Sequence, residues 1–369
     1  MRVVIAGGGT GGHLYPGIAL ADKFCEIKPD AEIVFVGTRR GIESRVLPES
    51  RYALLLLPVR GLRRKLTLQN LLFPFRLGIS ILKCVRFFRQ FQPKLVIGTG
   101  GYVSGPALMA AKLLRIPRVI QEQNSFPGLA NRRIGSKVEA VFLTFEASRK
   151  YFAGQENIFV FGNPIRSTLG ASTRADGCRF FGLDEGQKTL LIFGGSQGAK
   201  KLNEVVDAAL PDLLKITNIQ LIWAVGQAWY DEWKGSRYES ASHLKVMSYI
   251  KEMEMAYAAA DLVVCRAGAT TISELVTCGL PTIYVPYPHA TGDHQTANAK
   301  AIVEKGGGEL IQEKELTAPI LVERIQSLLF GKERLQKMAI AAKKLSMDDA
   351  AEKIARQCLK IMKEEGPCE

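Results

Sequence analysis

The sequence predicts a doubly wound α/β fold, in which helices cover parallel sheets, arranged as two domains. The first observation is length, because 369 residues correspond to two or three domains of about 150 residues each. The second is an alternation, along the whole chain, of short apolar runs with helix-like segments. The third is that a glycine loop follows a strand twice, at 7–12 and at 194–198. Each half is therefore expected to open like a Rossmann domain.

The predicted strands are short apolar runs, rich in β-branched residues and bounded by glycine or proline. This composition is typical of strands that are buried on both faces of a parallel sheet. Nine runs have it: Arg2–Ala6, Ile33–Val36, Leu95–Ile97, Arg118–Ile120, Val141–Leu143, Thr189–Phe193, Gln220–Ala224, Leu262–Cys265 and Thr282–Val285.

A polar segment over 162–177, which contains Pro164, separates the two halves and predicts a hinge with a cleft between the domains. We expect an N-terminal domain over 1–163 and a C-terminal domain over 164–344. The segment 345–369 has the pattern of a charged amphipathic helix and is expected to join the N-terminal domain.

Composition excludes several classes of protein. The chain is 47% hydrophobic and 23% charged, which is typical of a globular protein and not of a disordered chain, coiled coil or collagen-like fibre. No uncharged run reaches the roughly 20 residues of a membrane-spanning helix, so no such helix is expected. The seven cysteines are scattered without a Cys-x-x-Cys pair, which favours reduced thiols in a cytosolic protein over a disulfide framework or zinc site.

The positive charge is concentrated in one stretch of the chain. The net charge is +13, from 49 Lys and Arg against 36 Asp and Glu. Residues 50–121 contain no acid and as many cations as the whole excess. This stretch predicts a surface for an anionic partner, with a solvated basic face as the alternative.

A helix-like run ending near Phe91 lies inside this basic stretch. An apolar stripe on it is predicted to be core and consists of Leu77, Ile81, Cys84, Val85 and Phe88. Large apolar residues beside cations suit an anionic membrane, although a core helix with a solvated basic face fits as well. Nucleic acid is disfavoured, because no aromatic stacking platform or recognition module is visible.

The first glycine loop, Gly7–Gly12, is followed by His13. Its match to G-x-G-x-x-G is a weak signal by itself. A nicotinamide enzyme needs an acid at the end of the second strand, where this chain has Arg39 and Arg40. An NADP-dependent oxidoreductase therefore remains an alternative. A neutral imidazole accepts protons near pH 7, so His13 is either a general base or a structural histidine bonded to backbone.

Two further polar segments follow strands of the first half. Gly98–Pro106 is a third glycine loop, which either wraps a substrate or forms a tight turn. The run Gln121-Glu122-Gln123-Asn124 places four polar side chains at a strand end, where we expect them to line a site. Glu122 is thereby a second candidate for a base or an orienting group.

The most informative segment of the second half follows the strand that ends at Cys265. Arg266 is expected to project into the cleft. Thr270 or Thr271 is expected to cap a helix whose N–H groups bind a diphosphate. Glu274 is expected to accept two ribose hydroxyls, although a capping box would also explain an acid there.

Gln295 and Asn298 are three residues apart and therefore share a helix face. Their amides suit sugar hydroxyls, or are simply exposed. The chain has no Asp-x-Asp motif and no G-x-x-x-x-G-K-[ST] loop, so an NTPase is disfavoured and neither a metal nor a cofactor is expected. Arg266, a helix dipole and backbone donors would then neutralise a leaving diphosphate.

Six motifs occur in one order along the chain: Gly8–His13, Gly98–Pro106, Glu122–Asn124, Gly162–Arg166, Gly194–Ala199 and Arg266–Glu274. Together they resemble the MurG family of bacterial glycosyltransferases over nearly the whole chain. The resemblance implies a GT-B fold and an inverting transfer of GlcNAc from UDP-GlcNAc to the MurNAc C4 hydroxyl of lipid I, undecaprenyl-diphospho-muramoyl-pentapeptide. The product would be lipid II of peptidoglycan synthesis.

The resemblance also implies where the substrates bind. The N-terminal domain would take the acceptor and meet an anionic membrane through residues 50–121, and the C-terminal domain would bind UDP-GlcNAc. The protein would be peripheral at the cytoplasmic face of the bacterial inner membrane, with other cell-wall synthesis proteins as candidate partners. Two departures, Gln121 and His294 in place of the family's frequent His and Gln, leave the donor prediction intact.

Residue by residue, the resemblance implies donor contacts from Thr10, Gly11, Gly12, Asn124, Arg166, Ser196, Ile250, Ala269, Thr270, Thr271, Ile272, Ser273, Glu274 and Gln295. The backbone of Ile250 would meet the uracil and Glu274 the ribose. The acceptor hydroxyl would attack the anomeric carbon through an oxocarbenium-like transition state. His13 would take its proton, with Glu122 as the second candidate.

Three alternatives remain open from the residues alone. One is another GT-B enzyme, such as a diacylglycerol glycosyltransferase or a UDP-GlcNAc epimerase. The second is the NADP-dependent oxidoreductase. The third is a non-enzymatic membrane-binding module that uses the basic stretch.

Overall fold

The computed structural model describes residues 1–59, 72–195, 198–233 and 243–363. They divide into two compact units. The first comprises Met1–Arg166 and the C-terminal segment from Met347, and the second comprises Ser167–Ser346.

A parallel sheet forms the centre of each unit. The strands of the first unit are β1 (Arg2–Gly7), β2 (Glu32–Thr38), β3 (Ala53–Leu57), β4 (Leu95–Gly100), β5 (Arg118–Glu122), β6 (Ala140–Leu143) and β7 (Ile158–Val160). Those of the second are β8 (Lys188–Phe193), β9 (Ile219–Ala224), β10 (Leu244–Met247), β11 (Leu262–Cys265), β12 (Thr282–Tyr284) and β13 (Glu309–Leu310). The spatial orders are β3-β2-β1-β4-β5-β6-β7 and β10-β9-β8-β11-β12-β13. The predicted α/β class and doubly wound parallel sheets are confirmed.

Helices connect the strands and cover the sheets. In the first part of the chain they are α1 (Gly11–Ile27), α2 (Glu43–Val46), α3 (Phe73–Phe91), α4 (Ser104–Leu113) and α5 (Leu129–Ile134). The second unit holds α6 (Arg174–Phe181), α7 (Lys200–Leu213), α8 (Tyr230–Trp233), α9 (Met253–Ala259), α10 (Ala269–Cys278), α11 (His294–Val303), α12 (Ala318–Leu329) and α13 (Lys332–Lys343). The last helix is α14 (Ala350–Met362). Within the described ranges, no helix has the length and apolar character needed to cross a bilayer.

The last helix completes the hydrophobic core of the first unit. It packs against α1, and its side chains Ile354, Ala355 and Cys358 are fully buried there. The chain therefore leaves the first unit after Arg166 and returns to it after Ser346.

The strand order reverses once in each sheet, between β1 and β4 and between β8 and β11. In doubly wound sheets, ligands bind beyond the carboxyl ends of the strands at such a reversal, because the following loops diverge there and leave a crevice. In the first sheet the register also shifts at this point, since Ala6 pairs with Gly98 but Gly7 pairs with Gly100. The fold thus provides one candidate site in each unit.

Candidate functional sites at the strand reversals

His13 lies in the first turn of α1, beyond the end of β1. Its Nδ1 is 3.2 Å from the carbonyl oxygen of Gly8 and 3.3 Å from Oγ1 of Thr10. Because a carbonyl oxygen only accepts, the contact with Gly8 requires a hydrogen on Nδ1, which leaves the lone pair of the neutral ring on Nε2. The backbone bond therefore orients His13 and also prepares Nε2 to accept a proton.

The turn after β4 makes room for this imidazole. Gly100 and Gly101 have φ values of +111° and +77°, which disfavour side chains. A Cβ at Gly100 would lie 2.6 Å from Cδ2 of His13 and 3.0 Å from its Nε2. Ser104 secures the turn by accepting from the Gly100 N–H at 3.0 Å and donating to the Ala6 carbonyl at 2.6 Å. The third glycine loop is thus a tight turn that seats His13.

Glu43 is an acid of this site that the sequence analysis did not single out. It is fully buried. Its Oε2 accepts from the Gly9 N–H at 2.8 Å, and its Oε1 accepts from the N–H and Oγ1 of Thr38 at 2.7 and 3.0 Å. The first glycine loop therefore already binds an anion, the protein's own carboxylate. This arrangement counts against a dinucleotide phosphate at the same N–H group.

Glu122 holds the turn that follows β5. It is 2% exposed, and its oxygens accept from the N–H and Nδ2 of Asn124 at 3.0 and 3.3 Å, from the Gly128 N–H at 3.1 Å and from Asn131 Nδ2 at 2.8 Å. Burial raises the pKa of Glu122, and these four donors oppose the shift by stabilising the carboxylate. Because both oxygens are engaged, the geometry favours an orienting role and leaves His13 as the better candidate base.

The neighbouring amides are buried and do not line an open site. Gln123 donates to the Thr99 carbonyl at 2.6 Å, and Gln121 donates to Oδ1 of Asn163 at 3.1 Å. The expectation that all four polar side chains at the end of β5 line a site is therefore wrong for these two. Their bonds instead tie β5 to the end of β4 and to Asn163.

The remaining predicted contact positions of the first unit differ in exposure. Thr10 and Gly12 are exposed, Gly11 is buried, and Asn124 is half-buried. The guanidinium of Arg166 lies 5.8 Å from the ring centre of Tyr15. These positions surround the amino end of α1 or follow β5 and β7.

In the second unit, α10 begins directly after the loop that follows β11. Gly268 is its N-cap residue, and no side chain caps the helix. Thr270 and Thr271 lie inside the first turn, so the expectation that one of them caps the helix is wrong. The amino end of a ten-residue helix still favours an anion through its dipole and N–H groups.

Glu274 lies in the second turn of α10 and is buried. Its Oε2 accepts from the hydroxyl of Tyr257 at 2.9 Å. A capping box places its acid at the third helical residue, which here is Thr271, so that explanation is excluded. A carboxylate oriented by a tyrosine is suited to accept sugar hydroxyls, so the ribose role of Glu274 stays a prediction.

The sequence predicts that Arg266 projects into a cleft, but its guanidinium is engaged within the second unit. It is 8% exposed and donates to the carbonyls of Val285 and Pro286 at 3.2 and 3.1 Å. It also forms an ion pair with Glu313, and its guanidinium lies 5.5 Å from the ring centre of Tyr287. These contacts engage the cation inside the unit, where it joins the ends of β11 and β12 to the segment after β13.

The other predicted positions of the second unit are largely buried or engaged. Oε1 of Gln295 accepts from the Tyr287 N–H at 2.9 Å, and the fully buried Asn298 donates to the Ala267 carbonyl at 3.4 Å. The amide pair therefore supports the loop structure on one side of α10. Ser196 lies outside the described residues.

Four further predicted positions belong to the second unit. Ala269 and Ile272 are buried in α10, as is Ile250 after β10. Ser273 donates to the Ala269 carbonyl at 3.0 Å. Among the described residues, no group of three His, Cys, Asp or Glu side chains could hold a metal ion.

Replacing Arg266 with Ala should destabilise the second unit, because Glu313 loses this partner and two carbonyls lose their donor. We expect the free energy of unfolding to fall by about 3–5 kcal/mol. Urea titration of tryptophan fluorescence measures it, since all three tryptophans belong to this unit. The double variant Arg266→Met, Glu313→Gln should be more stable than Arg266→Ala. A stable Arg266→Ala protein with UDP affinity reduced more than tenfold would instead indicate a diphosphate ligand.

Comparisons with known proteins agree with this architecture. The model of the glycosyltransferase family 28 N-terminal domain matches residues 3–143, and that of the family 28 C-terminal domain matches residues 189–354. A crystal structure of Acinetobacter baumannii MurG superposes with a TM-score of 0.75 at 28% identity, covering 97% of this chain and 99% of that one.

Two relatives carry the name UDP-N-acetylglucosamine–N-acetylmuramyl-(pentapeptide) pyrophosphoryl-undecaprenol N-acetylglucosamine transferase. The protein of Acetivibrio thermocellus is 39% identical over 98% of this chain and 99% of its own length. That of Prosthecochloris aestuarii is 41% identical over 95% of this chain and 96% of its own. With both family 28 domains present and identity of this level over nearly the full length, the chain belongs to the MurG family of glycosyltransferases, and its two parallel-sheet units are those of a GT-B fold.

Proposed function

We infer that this protein transfers N-acetylglucosamine from UDP-N-acetylglucosamine to the muramoyl sugar of lipid I, forming lipid II for peptidoglycan synthesis. The observation that carries the inference is family membership over nearly the whole chain, with relatives at 39% and 41% identity that are named for this transfer. The product retains the lipid diphosphate, and UDP leaves with inversion at the sugar carbon. This function replaces the oxidoreductase and non-enzymatic alternatives.

The second unit is proposed to bind the donor nucleotide. The amino end of α10 would receive the diphosphate, because its dipole and first-turn N–H groups favour an anion. Glu274, oriented by Tyr257 at 2.9 Å, would accept the ribose hydroxyls. The backbone at Ile250 would meet the uracil, and the loop containing Ser196 would contribute further donors.

Charge on the leaving diphosphate must be stabilised without drawing on Arg266, since that cation is paired with Glu313. The α10 dipole and oriented backbone N–H groups are therefore the proposed source of stabilisation. Their advantage is that they are already in place and need little reorganisation as charge develops. Arg266 is therefore assigned a structural role, in place of the predicted neutralisation of the leaving diphosphate.

The first unit is proposed to bind the acceptor and supply the general base. Nε2 of His13 would take the proton of the C4 hydroxyl as that oxygen attacks the anomeric carbon. The transition state has oxocarbenium character, so deprotonation and departure of UDP both make the attack easier. Glu122 would act indirectly, because its Oε1 accepts from the Asn124 N–H at 3.0 Å and so fixes the position of Asn124.

The transfer itself predicts that UDP release depends on acceptor. Purified protein with UDP-GlcNAc and a lipid I analogue should release UDP in proportion to lipid II formed, and EDTA should leave the rate unchanged. The measurements are coupled UDP detection and chromatography of the lipid product. UDP release at the same rate without acceptor would contradict the function, and conversion of UDP-GlcNAc to an epimer would identify the alternative GT-B activity.

His13→Ala should lower kcat by about 10²–10⁴-fold, the usual contribution of a general base. The KM for UDP-GlcNAc and the affinity for UDP should change little, because the nucleotide is assigned to the second unit. Steady-state kinetics and calorimetry with UDP measure the two effects. A loss of less than about tenfold in kcat would contradict this assignment.

A docking face on the first unit is proposed to bring the enzyme to its lipid acceptor. It consists of exposed apolar side chains on and beside α3 and α4, namely Leu72, Phe75, Ile79, Leu82, Met109 and Leu113. The members on α3 are spaced by three or four residues and so share one helix face. Phe75, Leu82 and Leu113 are 72%, 69% and 68% exposed. Because α3 packs against α4, we propose that the six side chains form one apolar surface.

Exposed cations accompany the docking face: Lys83, Arg86, Arg89, Lys112 and Arg115. The opposite side of α3 is core, as predicted, because Cys84 and Phe88 are buried with Ile81 and Val85 packed beside them. Arg118 is buried and donates to the Leu108 carbonyl at 3.3 Å, so it does not belong to this surface. Residues 60–71, with four more of the predicted cations, lie outside the described ranges.

We propose that this docking face meets anionic lipid at the cytoplasmic side of the inner membrane, with the protein peripheral to the bilayer. Each cation near such a surface contributes roughly 1 kcal/mol to the free energy of membrane binding. Apolar side chains that enter the bilayer interface add their transfer free energy. Both contributions act together on α3, because Arg86 and Arg89 continue the helix face formed by Phe75, Ile79 and Leu82, at the same spacing of three or four residues.

Charge reversal of Arg86 and Arg89 to Glu should weaken binding to phosphatidylglycerol-containing liposomes at least tenfold. The separate double variant Phe75→Ser, Leu82→Ser should weaken liposome binding more than the charge reversal does. UDP affinity should not change in either pair. The matched control reverses two exposed cations of the second unit, Lys201→Glu with Lys332→Glu. Equal losses in the control and the docking-face variants, measured by liposome sedimentation, would contradict a localised surface.

A further inference from the structure

The glycine loop beside His13 is held in place by the buried carboxylate of Glu43. Three donors engage that carboxylate: the Gly9 N–H at 2.8 Å, and the N–H and Oγ1 of Thr38 at 2.7 and 3.0 Å. Glycines surround this carboxyl and leave room for it. A Cβ at Gly8 would lie 2.6 Å from Cδ of Glu43. Cβ atoms at Gly37 and Gly41 would also overlap the Glu43 side chain.

The same loop determines the hydrogen bond of His13. The Gly8 carbonyl belongs to the same peptide group as the Gly9 N–H that Glu43 binds. Its oxygen lies 3.2 Å from Nδ1 of His13. On its other side this carbonyl packs against Gly101, where a Cβ would collide with it. The carbonyl is thus fixed between the Glu43 carboxylate and the turn after β4. A shift of the loop would alter this contact, which requires a hydrogen on Nδ1.

The chemistry of Glu43 cannot be reproduced by a neutral group of the same shape. Its two oxygens accept from opposite sides, one from Gly9 and one from Thr38. A glutamine has one accepting oxygen and one donating NH₂ group, so one of these backbone N–H groups would face another donor. The loop would have to move to relieve that conflict, because a buried unpaired donor is costly.

We propose that Glu43 is a positioning residue of the transferase: by binding the Gly9 N–H it fixes the Gly8 carbonyl, which holds His13 in the Nδ1–H tautomer with Nε2 as proton acceptor. The inference rests on the proposed function of His13 as general base. This role also explains why Glu43 follows β2, although the first unit is not the one proposed to bind the nucleotide.

The first experiment reads the tautomer directly, without activity. Protein labelled with ¹⁵N-histidine contains four histidines, and the His13 signals are assigned by their loss in His13→Ala. At a pH where the ring is neutral, the native protein should show the Nδ1–H form. Glu43→Gln should convert part of the population to the Nε2–H form. The Nε2–H form in the native protein, or no change in Glu43→Gln, would overturn the inference.

The second experiment is a double-mutant cycle on kcat with UDP-GlcNAc and a lipid I analogue. Glu43→Gln should lower kcat about 10- to 100-fold, the usual effect of misplacing a catalytic group, with KM for UDP-GlcNAc unchanged. In a His13→Ala background the same change should lower kcat less than about twofold, because its effect passes through His13. Equal losses in both backgrounds would overturn the inference.

The two proposals fail in different ways. If His13→Ala loses less than tenfold in kcat, the general-base assignment fails, and the tautomer experiment alone decides the role of Glu43. If His13→Ala loses 100-fold or more and the effects are additive, the base stands and Glu43 is merely structural.

Controls separate positioning from loss of fold. Glu32→Gln is the matched control, since Glu32 is exposed at the opposite end of the strand that carries Thr38. It should leave tautomer and kcat unchanged. If Glu43→Gln does not fold, as judged by its melting temperature and UDP affinity, Thr38→Val replaces it. That variant removes one donor to Glu43 at nearly constant volume and should shift the tautomer in the same direction by less; no shift would overturn the inference.

Discussion

Burial of a parallel sheet on both faces is the constraint on which the rest of this structure depends. The strands at each reversal, β1, β4, β8 and β11, are buried over nearly their full length, so their faces carry packing and no chemistry. Polar groups can reach solvent only beyond the strand ends. His13 and the amino end of α10 occupy such positions, and Glu122 is the last residue of β5. The same requirement explains why glycines crowd the reversals, where backbone segments must pass close to one another.

Buried carboxylates are the recurring polar device, and each is satisfied differently. Glu43 and Glu122 are held by N–H and hydroxyl donors, which offset the loss of hydration without a cation beside them in the bonds described. Glu313 is paired with Arg266, and Glu274 is oriented by Tyr257. Glu43 and Glu122 fix loops, because each accepts bonds from backbone N–H groups, whereas the bond described for Glu274 comes from a side-chain hydroxyl. This distinction separates the groups that shape the sites from those proposed to meet substrate.

Sequence reasoning found the strands that are covered on both sides and missed those at the edges. The nine predicted strands are all internal, and the missed strands β3, β7, β10 and β13 are the two edges of each sheet. An edge strand has one neighbour and is short or half-exposed. In β3 the apolar run consists of Ala and Leu and has none of the β-branched residues on which the strand prediction depends. At the sites, motifs located His13, Glu122 and Glu274, but spacing cannot show that Arg266 turns inward to Glu313. Glu43 was overlooked because its contacts with Gly9 depend on the fold and not on a local pattern.

The return of the chain through α14 has a consequence for how the protein is made. Because the second unit interrupts the first, a ribosome completes residues 167–346 before it makes the helix that buries Ile354 and Cys358 against α1. Domains generally fold as units during synthesis, so the unit that we propose to bind the nucleotide can mature while the other unit still lacks part of its core. The unit that begins the chain is therefore the last that can finish folding. The part of its core that α14 completes is therefore available only after residues 347–363 have been synthesised.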